Sequence, residues 1–231
     1  MGKRIGILAF GFGCSAVILS LLIMNCIGLR DTAVLASFTL RFPYQLVDCP
    51  LVLHQITGYE GAFVEDGTDR EVVDTAALLV ENTSECTLKN TRVAIYAGAE
   101  CFLFFADRLP PGEKTVLLEH NAKAYVDQSF SSCWASCEYV SALHPEEQTI
   151  YIRNLGMDTL ELSNLTERTI CNISIYHKTW SEEIEAYLGG ISYVTYVDSL
   201  KPGQLLLIKP EHYAFGRSKI IDIEYAGLSQ K

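Results

Sequence analysis

The chain contains the same short phrase twice, and this repetition constrains its fold more than any other feature. The first copy reads FADRLPPGEKTVLL (residues 105–118) and the second reads YVDSLKPGQLLLI (residues 196–208). In both, a leucine precedes a Pro-Gly pair and an apolar run follows it. Proline presets φ and glycine tolerates a positive φ, as the centre of a type II turn requires. Each phrase therefore predicts a turn that leads into a buried strand.

The similarity extends to both sides of these phrases. Upstream, LLVENTSECTLKNTRVAIY (residues 78–96) matches LELSNLTERTICNISIY (residues 160–176), and downstream SCEYV (residues 136–140) matches DIEYA (residues 222–226). In each copy an apolar strand ends at an asparagine, which can bond its own backbone two residues on and so begin a turn. A run of alternating apolar residues follows, as in a strand with one face on a core. The pattern indicates an internal duplication of one β-unit.

The repeated units predict an all-β fold. Short strands separated by turns, with near-continuous apolar runs after each Pro-Gly pair, are typical of small antiparallel β-sandwiches. We therefore expect two tandem domains, at residues 71–145 and 146–231. Residues 31–70 belong to neither copy, and they predict either a juxtamembrane segment or an edge strand of the first sandwich.

The motifs L-x-V-E-N-T-S, L-K-N-T-R-V-A-I-Y and D-R-L-P-P-G-E-K resemble those of bacterial Ig-like modules of the CARDB and FxLYD type. The resemblance covers about residues 71–140 and 148–226. It implies Ig-like sandwiches and a role in extracytoplasmic binding or spacing. The second copy departs from the pattern, with Gln204 in place of the usual glutamate and a longer central segment, HKTWSEEIEAYLGGISY (residues 177–193).

The N-terminal segment predicts a membrane anchor. Residues 5–29 contain no charged side chain, and a helix of that length spans the roughly 30 Å hydrocarbon layer. A cleaved secretory signal is the alternative, with Val34 and Ala36 at a candidate cleavage site, but its apolar region is usually only about 7 to 15 residues long. We therefore interpret residues 1–30 as a cytoplasmic tip and a transmembrane helix.

Charge predicts the orientation of the chain and excludes some partners. Lys3 and Arg4 precede the apolar segment, whereas Arg30 behind it is next to Asp31, so the N-terminus is expected in the cytoplasm and the β-domains outside the cell membrane. The chain has 18 Lys plus Arg and 28 Asp plus Glu, and three of the basic residues precede residue 31, so the remainder has a net charge of 15 − 28 = −13. Nucleic acid is therefore not an expected partner.

Six cysteines follow the apolar segment, and their pairing cannot be chosen from the sequence. Up to three disulfides are possible in an extracytoplasmic domain. The closest pair, in CWASC, has the wrong spacing for a redox C-x-x-C motif and predicts a local disulfide or buried free thiols. The six candidates are Cys49, Cys86, Cys101, Cys133, Cys137 and Cys171.

Catalytic motifs are lacking in the sequence. The five histidines have no H-E-x-x-H or other paired spacing, and no G-x-S-x-G elbow, phosphate-binding loop or dinucleotide fingerprint is present. We expect a protein that is not an enzyme and needs neither a metal nor a cofactor.

The longer segment of the second copy is the candidate binding region. Its aromatic residues, Trp180, Tyr187, Tyr193 and Tyr196, lie around Gly189-Gly190, and exposed aromatic residues are common anchors at interfaces. The alternative is that these rings pack on the sandwich as a short helix or an extra hairpin.

Two functions fit the sequence. In the first, the chain is a single-pass membrane-anchored binding or scaffold protein that contacts an envelope protein or a cell-wall glycan through its β-domains. In the second, it is an accessory or assembly subunit of a membrane complex, with the transmembrane helix contributing contacts. The sequence does not indicate an oligomeric state.

Overall fold

The computed structural model describes residues 39–140 and 149–229, and this part of the chain is all-β. The described residues belong to one compact unit. None of their helices is long and apolar enough to cross a membrane. The predicted transmembrane helix at residues 1–30 lies outside the described residues.

Within these ranges the chain forms strands and one short 3₁₀ turn, Val64–Asp66. The strands are β1 (Tyr44–Gln45), β2 (Leu51–Phe63), β3 (Arg70–Asn82), β4 (Thr87–Ala97), β5 (Glu100–Leu109), β6 (Lys114–Leu118), β7 (Ser132–Val140), β8 (Ile150–Gly156), β9 (Thr159–Asn164), β10 (Thr169–Ser181), β11 (Ala186–Leu200), β12 (Leu205–Ile208) and β13 (Ser218–Ser229).

These strands form three sheets. Two have three strands each, in the orders β5-β4-β7 and β12-β9-β8, and the third has seven in the order β1-β2-β3-β6-β11-β10-β13. The pairing between β6 and β11 is parallel, at Thr115–Tyr187 and Val116–Leu188, whereas the other described strand pairs are antiparallel. The seven-stranded sheet therefore joins strands from both halves of the chain.

Each half of the chain has its own apolar core between two layers of sheet. In the first, strands β2, β3 and β6 pack against β4 and β5, with Phe102 and Phe104 fully buried. In the second, β8 and β9 pack against β10 and β11, with Leu162 and Ile173 fully buried. Burial of one such side chain stabilises the fold by about 1.5–3 kcal/mol.

A buried asparagine organises the turn that follows β3. The Asn82 side chain is 0% exposed, and its Nδ2 donates to the carbonyl oxygens of Cys86 at 2.8 Å and Leu109 at 2.9 Å. Its Oδ1 accepts from the backbone N–H of Ser84 at 3.0 Å and from the Ser84 hydroxyl at 2.7 Å. The backbone N–H of Gly112, which has φ 69°, donates to the Asn82 carbonyl. The asparagine therefore ties three segments together.

The turn that follows β9 is built in the same way. Asn164 is 3% exposed, and its Nδ2 donates to the carbonyl oxygens of Arg168 at 2.8 Å and Leu200 at 2.7 Å. Its Oδ1 accepts from the backbone N–H and the hydroxyl of Thr166, both at 2.8 Å. Gly203, with φ 66°, donates its N–H to the Asn164 carbonyl. The two halves thus share one hydrogen-bonding pattern at equivalent positions.

A disulfide joins Cys49 to Cys137, 88 residues apart in the sequence. Of the two alternatives for CWASC, the local disulfide is not formed, because Cys133 and Cys137 both lie on β7, where four residues of extended chain span about 13 Å, whereas a disulfide needs Cα atoms within about 7 Å. Burial raises the pKa of the Cys133 thiol. Among the described residues, the free cysteines are Cys86, Cys101, Cys133 and Cys171.

Candidate binding groove

The predicted binding loop of the second half is a β-hairpin. Strands β10 and β11 pair as far as Ser181 and Ala186, and a tight turn at residues 182–185 connects them. Of the two alternatives for this segment, the structure shows the extra hairpin. The pairing of β11 with β6 places the end of this hairpin against the first half of the molecule.

The structure does not gather the four predicted aromatic residues into one surface. Trp180 and Tyr187 meet edge to face, with ring centroids 4.9 Å apart. Tyr187 is only 4% exposed, and burial raises its pKa to about 12. Tyr193 instead stacks between His177 and His212, with centroid distances of 5.5 and 4.5 Å. Tyr196 is 73% exposed and has no described aromatic contact.

One face of the Trp180 ring is occupied by a lysine. The Lys219 Nζ lies 3.0 Å from the ring centroid of Trp180 and 5.9 Å from that of Tyr187. A cation over an aromatic ring is attracted by the negative charge on its face. One face of the Trp180 ring is therefore not free for stacking.

A groove of about 620 Å³ lies between this hairpin and the outer face of strands β2, β3 and β6. Its floor is aliphatic, with Leu79 and Val116 from the sheet and Leu188 from the hairpin. The remaining lining residues are Gln55, Thr57, Gly58, Tyr59, Ala77, Thr179, Trp180, Ser181, Glu182, Glu183, Ile184, Gly216 and Arg217. An apolar floor with a polar rim is typical of a binding site.

One carboxylate fixes the hairpin to the first half. The Glu65 Oε1 accepts a hydrogen bond from the backbone N–H of Leu118 at 3.0 Å and from that of Gly190 at 2.8 Å. Burial raises the pKa of Glu65, and these two hydrogen bonds oppose the rise. Glu65 therefore bridges β6 and β11 at the end of their short parallel pairing.

A buried lysine lies beside this contact. Lys178 is 0% exposed, and its Nζ donates to the carbonyl oxygens of Gly189 at 2.9 Å and Gly190 at 2.8 Å. Burial lowers the pKa of Lys178 from 10.5 to about 8, against the opposing attraction of Asp107, whose Oδ1 is 3.7 Å away. Asp107 itself accepts from the backbone N–H and the hydroxyl of Ser192, both at 2.8 Å.

Gly190 is required for a close approach between the two halves. A Cβ at this position would overlap the carbonyl oxygen of Phe105. Gly189 has φ 83°, and a Cβ there would overlap the side chain of Val64. The Gly-Gly pair therefore lets β11 pass against the first half.

Sequence reasoning missed the groove and its supports. Glu65, Asp107 and Lys178 are far apart in the chain, and no motif links them. The one signal was the extra length of the second copy, which is the part that reaches over β6. Across residues 39–140 and 149–229, no group of three or more His, Cys, Asp or Glu residues is placed to hold a metal ion.

No protein-family model matches the chain, and no curated protein resembles it closely enough in sequence to count as a relative. The resemblance to CARDB and FxLYD modules therefore stays a prediction.

Proposed function

We propose that this protein is a membrane-anchored extracytoplasmic binding protein, in which two tandem Ig-like β-sandwiches hold a partner in the groove beneath the β10–β11 hairpin. The groove is the observation that carries the proposal. It has an aliphatic floor, and the hairpin above it is fixed to the first half by Glu65 and Asp107 rather than free to collapse onto the sheet. A preformed site lowers the entropy lost on binding.

An envelope polypeptide suits this groove better than a wall glycan. Sugars are commonly held by stacking on an open aromatic face, and one face of the Trp180 ring is already occupied by Lys219. Leu79, Val116 and Leu188 instead offer aliphatic contacts, which suit apolar side chains of a protein.

The extracytoplasmic location is supported by three features of the chain. The Cys49–Cys137 disulfide suits an oxidising compartment. The charge-free segment at residues 5–29 suits a membrane anchor, and the two basic residues before it suit a cytoplasmic N-terminus. Together they favour a display of the β-domains on the outer side of the membrane.

Photo-crosslinking in intact cells tests the groove. Thr57 is exposed and lines the groove, so p-benzoylphenylalanine at this position in the full-length chain is expected to give a discrete protein adduct. Leu79→Arg, which places a charged side chain on the floor, is expected to reduce that adduct by about tenfold. The measurement is the adduct yield on immunoblots, normalised to the amount of the chain.

The control places the same photoreactive residue at Val47, which is 91% exposed and does not line the groove. Equal adducts from both positions, or a Thr57 adduct that is insensitive to Leu79→Arg, would contradict the proposal. If the adduct instead depends on the sequence of residues 5–29 and not on Leu79, the chain is an accessory subunit that makes its contacts through the membrane segment.

A further inference from the structure

The floor of the groove in the first half is an outer sheet face with a second element laid over it. Three residues before Asn82, Leu79 pairs with Gln55 on one side and Val116 on the other. All three of these paired residues line the groove. Beyond β6, the sheet is extended by β11, with Leu188 beside Val116.

The second half has the equivalent face, and no strand among the described residues covers it. Three residues before Asn164, Glu161 pairs with Arg153 on one side and Leu207 on the other. Leu207 is 60% exposed, and Leu205, two residues earlier on β12, is 63% exposed. In the part of the chain that the structure describes, β12 is an edge strand that pairs only with β9. An open strand edge beside exposed aliphatic side chains is a template for strand addition.

We propose that this face docks a β-hairpin of a partner protein, with one hairpin strand added parallel to β12 beside Leu207, as β11 is added to β6 beside Val116. The site is separate from the groove and does not depend on what the groove binds. Backbone hydrogen bonds along β12 supply affinity, and the side chains on the face supply selectivity.

A second copy of this chain does not carry a suitable hairpin. Strands β10 and β11, with 13 and 15 residues, are already held on the first half of their own molecule by Glu65 and Asp107. The corresponding hairpin of the first half has strands of only 11 and 10 residues. It lacks the extension that reaches over a neighbouring sheet, so the occupant comes from a different protein.

The face also indicates the chemistry of that hairpin. Leu207 and Leu205 require aliphatic or aromatic contacts. Tyr151, which is 47% exposed, is aligned with Leu205 across the sheet, since both residues pair with Ser163 of β9. Arg153 and Glu161 are aligned with Leu207 across the sheet, and they form an ion pair at 2.9 Å. The partner hairpin is therefore amphipathic, with an apolar side chain over β12 and a polar one over the ion pair.

The probe for this site is a fluorescent, backbone-cyclised peptide of residues 177–191, which copies the hairpin that covers the equivalent face. Binding to the full-length chain is measured by fluorescence anisotropy, and amide NMR shifts locate the contact. We expect saturable binding with shifts at Leu205–Ile208, and an affinity reduced by about tenfold or more in Leu207→Glu. Val126→Glu is the matched control, since Val126 is 59% exposed and lies outside this face.

Three results would overturn the proposal. The first is no binding, or binding that Leu207→Glu and Val126→Glu affect equally. The second is a set of amide shifts at Leu79 and Val116 in place of β12, which would mean that the peptide displaces the chain's own hairpin. The third is self-association of the chain in analytical ultracentrifugation that Leu207→Glu abolishes, which would make a second copy the occupant. Unchanged unfolding temperatures for both variants confirm that the fold is intact.

Discussion

Asn82→Asp is expected to lower the free energy of unfolding by about 4 kcal/mol, because the replacement removes two buried donors and adds a buried charge. Nδ2 of Asn82 is the group that donates to the carbonyls of Cys86 and Leu109, and both the asparagine and Leu109 are buried. A carboxylate in the same place repels both carbonyl oxygens. Chemical denaturation at neutral pH, monitored by circular dichroism, measures the loss.

Asn164→Asp is expected to have a similar effect, since Asn164 donates to Arg168 and Leu200 in the same geometry. Asn121→Asp is the matched control, because Asn121 is exposed and its replacement is expected to change stability by less than about 0.5 kcal/mol. Equal small effects at all three positions would show that the side-chain hydrogen bonds of the two buried asparagines contribute little to stability. A large effect at one of the two buried positions alone would argue against equivalent roles.

These two asparagines also show how much the sequence can predict. The turns could be predicted from the sequence, because an asparagine at the end of an apolar run and a Pro-Gly pair each determine the backbone conformation within a few residues. The all-β fold followed from those turns and from the alternating runs between them. The structure adds that each asparagine reaches across to the strand end before its Pro-Gly turn, at Leu109 or Leu200.

The long-range contacts could not be predicted from local sequence in this way. Cys49 pairs with Cys137 rather than with a near neighbour, because closeness in a sheet depends on register and not on sequence separation. The hairpin looked like a loop because its apolar residues are interrupted by three glutamates at the turn. Its role depends on Gly190 and Lys178 meeting Phe105, Glu65 and Asp107.

Lys178 gives the second large effect, which is a dependence of stability on pH. Its pKa is about 8 in the folded protein against 10.5 for an ordinary lysine, because burial penalises the ammonium more than Asp107 and Glu65 favour it, and Arg108 opposes it as well. Between about pH 8 and pH 10.5 the unfolded chain holds this proton and the folded chain has largely lost it, so stability rises with pH across that window. The stability contributed by a lysine whose pKa is lowered in the folded state is therefore complete above pH 10.5 and is lost as the pH falls through about 8. The difference corresponds to about 3 kcal/mol.

We therefore expect the wild-type protein to gain about 2 kcal/mol relative to Lys178→Met between about pH 7 and pH 10. Methionine keeps the apolar stem and removes the titrating group, and the difference between the two proteins cancels the titration of groups such as Tyr187. Lys209→Met is the control, because the Lys209 side chain is 70% exposed and its removal should leave the pH dependence of the wild type. Urea unfolding at several pH values measures the three curves.

A parallel shift of the wild-type and Lys178→Met curves would contradict this prediction, since it would mean that the lysine has the same proton affinity in both states. If the difference follows the predicted sign, the junction between the halves contains a charge that weakens it at neutral pH. The hydrogen bonds of Lys178 to the carbonyls of Gly189 and Gly190 join β10 to β11 within the hairpin, and the charge that strengthens them is itself costly to bury. The cost of burying this charge therefore falls on the hairpin, which Glu65 and Asp107 attach to the first half through Gly190 and Ser192.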